Sequence, residues 1–270
     1  MRVMKRKTMK ENKSEKLNSI LSGTGSAVVA FSGGVDSSFL LYRAHKIKKE
    51  AVIAVTIKTP YIPKREIEDA VRFTEKLGIR HEIIDIGIPE VIKTNPVERC
   101  YHCKKALFSR LLDFAKSAGC DVILDGSNAD DTNDFRPGMK ALKELGVRSP
   151  LLEAGLTKNE IRECLRNEGF DIWDMPAMAC MLTRIPYNVE ITHERLNMIE
   201  EAETVLFEKG YAGARVRIHE DVARIECFPS LIEKLITDPE RKQIVESLKK
   251  LGFRYVSLDM EGYRTGSMNP

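Results

Sequence analysis

A chain of 270 residues, 43% of them hydrophobic, is long enough for one large domain or for an α/β domain with a smaller companion, and it needs no covalent staples to bury a core. Lysine and arginine number 43 against 40 aspartates and glutamates, so the net charge of +3 argues for neither a nucleic-acid surface nor a membrane surface. No apolar run approaches a membrane span, the basic start from Met1 to Lys10 lacks the apolar stretch of a signal peptide, and six cysteines are too few for a disulfide scaffold; the expectation is a soluble, cytoplasmic protein.

Residues 1–13 read as a basic, frayed tail, and Ser14–Leu21 as a short helix. The apolar run Ala27–Phe31 reads as a buried strand. It breaks into Ser32-Gly33-Gly34-Val35-Asp36-Ser37-Ser38 and passes into a helix that reaches Lys48. Paired glycines let a ligand come close to the backbone. The helix start behind them carries unpaired N–H groups and the positive end of the macrodipole, so the stretch is a candidate phosphate site. It lacks the longer glycine spacing and the lysine of the common P-loop, and it lacks the spread glycines of a dinucleotide fingerprint.

From there the pattern alternates. A strand from Ala51 to Ile57 is followed by a helix over Arg65–Leu77 and a strand over Glu82–Ile86, then by a loop, a helix over Lys104–Ala118 and a strand over Val122–Asp125. Strands separated by helices of this length imply βαβ crossovers, hence an α/β fold with a doubly wound parallel sheet. Ligands of such sheets sit beyond the carboxyl ends of the strands. That rule singles out Asp125-Gly126-Ser127-Asn128-Ala129-Asp130-Asp131, suited to a ribose, a phosphate-bound cation or a catalytic water, with a solvated polar loop as the plain alternative.

Beyond it, Phe135-Arg136-Pro137-Gly138 reads as a turn carrying one cation. Thr157-Lys158-Asn159-Glu160 has capping-box spacing and opens a helix towards Glu168. From Asp171 to Asn188 periodicity is lost, yet Trp173, Met178, Cys180, Met181 and Leu182 make the segment too apolar for a free tether; it reads as a site-forming loop. A helix over Thr192–Lys209, strands over Ala214–His219 and Val222–Cys227, helices near Leu231–Ile236 and Pro239–Leu251, and a strand over Arg254–Leu258 make a smaller α+β domain. The expected division is a nucleotide-binding domain over 14–188 and a small domain for substrate or oligomer contacts over 189–270.

Cys100-Tyr101-His102-Cys103 sets two thiols at C-x-x-C spacing, read as a loop leading into the Lys104 helix. A redox dithiol, half of a zinc site and part of an iron–sulfur site compete. A thioredoxin-like pair belongs near the first βαβ unit, which the glycine loop occupies, and a four-cysteine zinc site lacks its second C-x-x-C, although His102 is a possible zinc ligand. Cys180 is the best third thiolate. Three thiolates leave one iron of a four-iron cluster open to an external ligand. Cys120, Cys164 and Cys227 read as small packed thiols.

Ser32–Ser37 resembles the Ser-Gly-Gly-x-Asp-Ser motif of the PP-loop ATP pyrophosphatases, which adenylate a substrate and release pyrophosphate. The chain as a whole resembles the LarE family of sulfur transferases of nickel-pincer nucleotide biosynthesis. That likeness is carried by the loop, by Glu98–Lys105, Asp125–Asp131, Arg136-Pro137-Gly138, Arg148-Ser149-Pro150-Leu151, Cys180 with Thr183–Tyr187, and Gly262–Asn269. The resemblance implies that ATP, with Mg²⁺ on its phosphates, adenylates a pyridinium carboxylate of a mononucleotide, and that sulfur then displaces AMP to leave a thiocarboxylate. It implies ATP contacts from Ser32, Gly33, Gly34, Asp36, Ser37, Ser38, Asp125, Gly126 and Ser127, with Asp36 on the metal side.

Family members use two sulfur strategies. A single cysteine matching Cys180 surrenders its own sulfur, or three cysteines hold a [4Fe-4S] cluster whose open iron carries a reloadable sulfide; Cys100, Cys103 and Cys180 fit the second. Arg215 and Arg217 match positions expected to bind the substrate phosphate, a solvated basic strand face being the alternative, and Arg184 and Arg264 are further anion candidates. A sulfide source or sulfur donor and a homo-oligomer are further implications. A tRNA thiolase would need an RNA-binding extension and a strongly basic surface, at which only residues 1–13 hint. An amide-forming synthetase has no use for clustered cysteines, and Asp36 with an unbroken Ser-Gly-Gly speaks against a non-catalytic nucleotide regulator.

Overall fold

A computed structural model of the protein describes residues 2–133, 137–176 and 179–264. Phe135, Arg136, Ala177, Met178 and the motif residues from Thr265 to Asn269 lie outside the described residues. In chain order the elements are α1 (Arg2–Ser22), β1 (Ala27–Ala30), α2 (Val35–Lys48), β2 (Val52–Lys58), α3 (Lys64–Leu77), β3 (His81–Asp85), α4 (Arg99–Ser117), β4 (Val122–Leu124), α5 (Pro137–Glu144), α6 (Pro150–Ala154), α7 (Lys158–Asn167), α8 (His193–Glu208), β5 (Arg215–His219), β6 (Val222–Glu226), α9 (Pro229–Thr237), α10 (Arg241–Lys250) and β7 (Tyr255–Leu258).

The chain divides into two units, Met1–Pro89 with Glu98–Met178, and Glu90–Val97 with Ala179–Pro270. In the first, four parallel strands stand in the order β3-β2-β1-β4. Strand side chains alternate between faces, and here both faces are apolar. Ala27, Val29, Val52 and Ala54 join Phe39, Leu40 and Ile161 in one core, while Val28, Ile53 and Val55 join Phe108, Leu111 and Leu142 in another. Helices α2 and α7 thus cover one face and α4 and α5 the other, which is the doubly wound arrangement expected from the alternation.

Three local readings change. Residues 2–13 are not a tail distinct from a following helix: α1 runs unbroken through them, a stretch without glycine or proline and rich in straight-chain helix formers. Cys100 and Cys103 lie within the first five residues of α4 and not in a loop before it; the start shows no cap signal, because Glu98 at the N-cap makes no side-chain capping bond. Pro137 and Gly138 open a helix where a turn was expected, proline being at ease in a first helical turn.

In the second unit, β5-β6-β7 form a sheet with β5 and β6 antiparallel and β6 and β7 parallel. This unit takes in the Cys180 loop, which the sequence reading put with the first. Asn95 holds that arrangement together: wholly buried, in a left-handed conformation with φ 53°, it donates from its amide to the carbonyls of Ile185 and Pro186. No helix among the described residues is long and apolar enough to cross a membrane.

Candidate active site

β1 delivers its last residues to a turn in which Gly33 has φ +77°, and a Cβ on Gly33 would stand 3.2 Å from the Ala70 Cβ. Gly34 is the N-cap of α2 and makes no side-chain cap bond, so it leaves the first-turn N–H groups without a cap of its own, the condition in which a helix start suits an anion. Ser37 closes the loop on itself: its hydroxyl lies 3.0 Å from that of Ser32 and donates to the Gly34 carbonyl at 3.1 Å. The loop after β4 comes to the same place. A Cβ on Gly126 would stand 2.9 Å from the Ser37 nitrogen, so only glycine lets the two backbones meet. Asp125 is held between the hydroxyls of Ser127 and Ser149.

Asp36 stands at the start of α2 with one carboxylate oxygen on the Lys158 ammonium and the other, Oδ1, buried without a hydrogen-bond partner. Burial lifts its carboxyl above the usual aspartate range, Lys158 pulls it back, and the nearby Asp131 adds to the rise. An unsatisfied carboxylate oxygen beside a second carboxylate is a hard-oxygen environment of the kind Mg²⁺ takes, so these residues fit that ion. Sequence reasoning missed Lys158. It sits inside the capping box, which the structure confirms through reciprocal bonds of Thr157 and Glu160, and the cap was the only signal read there.

The i, i+3 spacing puts Cys100 and Cys103 on one face of α4, near its start. Cys100 is exposed; Cys103 is partly covered and lies 3.1 Å from the hydroxyl of the buried Tyr61. Burial pushes the Cys103 thiol up, against the Tyr61 hydrogen bond and the Lys104 charge. Lys104 reaches towards Asp125 at 3.8 Å, which joins the cysteine turn to the loop that lies on Ser37. Two thiols one helical turn apart near a helix N-terminus, one exposed and one partly covered, fit two ligands of an iron–sulfur cluster. Among the described residues no group of three or more His, Cys, Asp or Glu side chains is gathered in metal-binding geometry.

Cys180 belongs to the second unit, exposed at the start of a short 3₁₀ turn over Met181–Arg184. Arg184, 2% exposed, pairs with Glu203 and donates to the carbonyls of Ala179 and Cys180. Arg217, buried beside it in the sheet, makes a two-pronged pair with Glu226 and donates to the Thr183 carbonyl. Both guanidinium groups thus have internal partners, whereas the sequence reading offered them to a substrate phosphate. Arg215 lies over the Tyr263 ring, and the exposed Arg264 pairs with Glu261.

A parallel sheet whose first strand runs through a Ser-Gly-Gly loop into an uncapped helix start is the phosphate cradle of the PP-loop ATP-using enzymes. Residues 10–108 match the family model described as NAD synthase. The chain is 38% identical to an uncharacterized protein of Synechocystis sp. over 97% of its own length and 98% of the relative's. It is 36% identical to the pyridinium-3,5-bisthiocarboxylic acid mononucleotide synthase of Lactiplantibacillus plantarum, over 89% of this chain and 88% of that one. A protein of Methanocaldococcus jannaschii is 34% identical over 88% of this chain and 90% of its own. The chain belongs to the LarE family, and it is an ATP-dependent sulfur-transferring enzyme.

Proposed function

We propose that the protein converts a pyridinium carboxylate of a mononucleotide into a thiocarboxylate. The carboxylate oxygen attacks the α-phosphorus of ATP and the bond to pyrophosphate breaks; sulfur then attacks the acyl carbon and the bond to AMP breaks. The observation that carries this reading is the link, inside one unit, from the uncapped start of α2 through Gly126, Asp125 and Lys104 to Cys103. It sets a group that activates an oxygen leaving group beside thiols that handle sulfur.

Ser32, Gly33, Gly34, Ser37 and Ser38 hold the departing pyrophosphate through N–H groups and hydroxyls, where the helix dipole offsets its charge. Asp125, Gly126 and Ser127 border the ATP. Asp36, with Asp131, is suited to holding Mg²⁺, which when bound neutralises phosphate charge, and Lys158 offsets part of the rise that burial imposes on the Asp36 carboxyl. Cys100, Cys103 and Cys180 are the residues that would hold a [4Fe-4S] cluster, which when bound would supply the sulfur-transfer chemistry. Arg215 and Arg264 take the substrate phosphate, while Arg184 and Arg217 keep the Cys180 loop in shape. The enzyme works in the cytoplasm as a homo-oligomer, supplied by a sulfide source.

Anaerobic purification with iron and sulfide analysis tests the sulfur half. The wild type is expected to carry a four-iron cluster that Cys100→Ala, Cys103→Ala and Cys180→Ala each lose. Absence of iron from the wild type, or its retention in all three variants, contradicts the reading. A protein lighter by one sulfur at Cys180 after turnover would instead show that this cysteine is consumed.

A further inference from the structure

Behind the nucleotide loop lies a chain of hydrogen bonds centred on His81, on the strand β3. Its Nε2 is 2.8 Å from the Thr56 hydroxyl, and its Nδ1 is 3.0 Å from the Thr74 hydroxyl. Thr56 in turn donates to the Phe31 carbonyl at 2.7 Å. Phe31 is the last residue before the loop, and its ring meets the His81 ring edge-on at 5.8 Å.

Counting protons orders the chain. Each hydroxyl has one hydrogen. Thr56 gives its own to Phe31, so its oxygen must accept from Nε2–H. In a neutral ring Nδ1 is then an acceptor, and Thr74 has to donate to it. The same hydroxyl lies 3.1 Å from the Ala70 carbonyl and 2.8 Å from that of Val71; both carbonyls belong to α3 and have its i→i−4 N–H donors as well, so turning the Thr74 hydrogen to Nδ1 leaves neither of them unpaired. The ring faces Thr56 of β2, Thr74 of α3 and Phe31, none of them charged, and Glu82 of its own strand is the charge that acts on it. Burial keeps the imidazole below its ordinary pKa, in keeping with a neutral ring.

The peptide at the far end of this chain is the one that enters the loop. Its carbonyl, on Phe31, is held by Thr56; its N–H, on Ser32, faces the Ser37 hydroxyl at 3.3 Å. Fixing one end of the peptide plane fixes the other. We propose that His81 is a positioning residue for ATP: as the Nε2–H tautomer, it relays from Thr74 through Thr56 to the Phe31 carbonyl and so sets the orientation of the Ser32 end of the pyrophosphate cradle. The inference rests on the reading of this loop as the ATP site.

The test combines a spectrum with binding. Long-range ¹H–¹⁵N spectra of the ring at pH 7.5 are expected to show the neutral Nε2–H tautomer; an Nδ1–H tautomer overturns the relay. Thr56→Val, which keeps shape and removes the hydroxyl, and His81→Ala are each expected to weaken ATP binding about three- to tenfold, the worth of one hydrogen bond. His81→Gln, whose amide N–H can reach Thr56, is expected to recover most of it. Thr56→Val with unchanged ATP affinity and a lowered melting temperature marks the contact as merely structural and overturns the proposal, even if His81→Ala fails to fold. Failure of the wild type to bind ATP would overturn the loop reading itself, and with it the purpose of the relay, while leaving the tautomer as observed.

Discussion

Asp36 shows what burying a carboxylate costs a fold. Its carboxyl is lifted above 3.8 by burial that Lys158 only partly offsets, so in the ligand-free fold the charge is a net cost near neutral pH. Asp36→Asn removes that cost. The variant is expected to melt higher than the wild type at pH 7, with the advantage shrinking as pH falls towards 3.8, where the unfolded chain's aspartate also takes up its proton. It is expected to lose ATP turnover by at least about a hundredfold, the scale of a lost electrostatic contact to a transferring phosphoryl group. Paired melting curves and turnover assays check both; a lower melting temperature at pH 7 would contradict the account. Asp36 was legible because it sits at a fixed offset inside Ser-Gly-Gly-x-Asp-Ser. Lys158, Tyr61, Thr56 and His81 were not, since each reaches its site from a distant stretch whose local signal was a cap or an ordinary strand or turn.

Elements were legible where the pattern was periodic and punctuated. The capping box at Thr157 and the start of α8 at Thr192 fell where the spacing put them, because a side chain marks each start. α4 begins five residues before the expected Lys104, since Glu98 offers no cap and Cys-Tyr-His-Cys has no helical preference strong enough to read. That shift has a consequence for the site: it moves the two thiols onto one helical face. The meeting of the β4 loop with α2 depends on one missing atom. Gly126→Ala would force a Cβ to 2.9 Å from the Ser37 nitrogen. The substitution is expected to destabilise the fold by about 1–3 kcal/mol through overpacking and to weaken ATP binding at least tenfold. Denaturant titration and ATP titration measure the two effects, and an unchanged affinity would show that this contact does not shape the cradle.

At the scale of the molecule, the alternating apolar runs were enough to reveal a parallel sheet with helices on both faces, because strands buried on two sides must be apolar throughout. The assignment of Glu90–Val97 to the second unit was invisible, for it depends on Asn95 bonding to carbonyls some ninety residues away in sequence. The smaller sheet was legible strand by strand, but its internal pairing of Arg217 with Glu226 was not, since alternation says which face a charge takes and not what it meets there. The central claim is that the Ser-Gly-Gly loop activates a carboxylate for sulfur transfer. Its most direct test is the product released from ATP when enzyme, Mg²⁺ and a pyridinium carboxylate mononucleotide are combined anaerobically with sulfide. Pyrophosphate and AMP in equal amounts, matched by thiocarboxylate, are the predicted result; ADP with inorganic phosphate would contradict it.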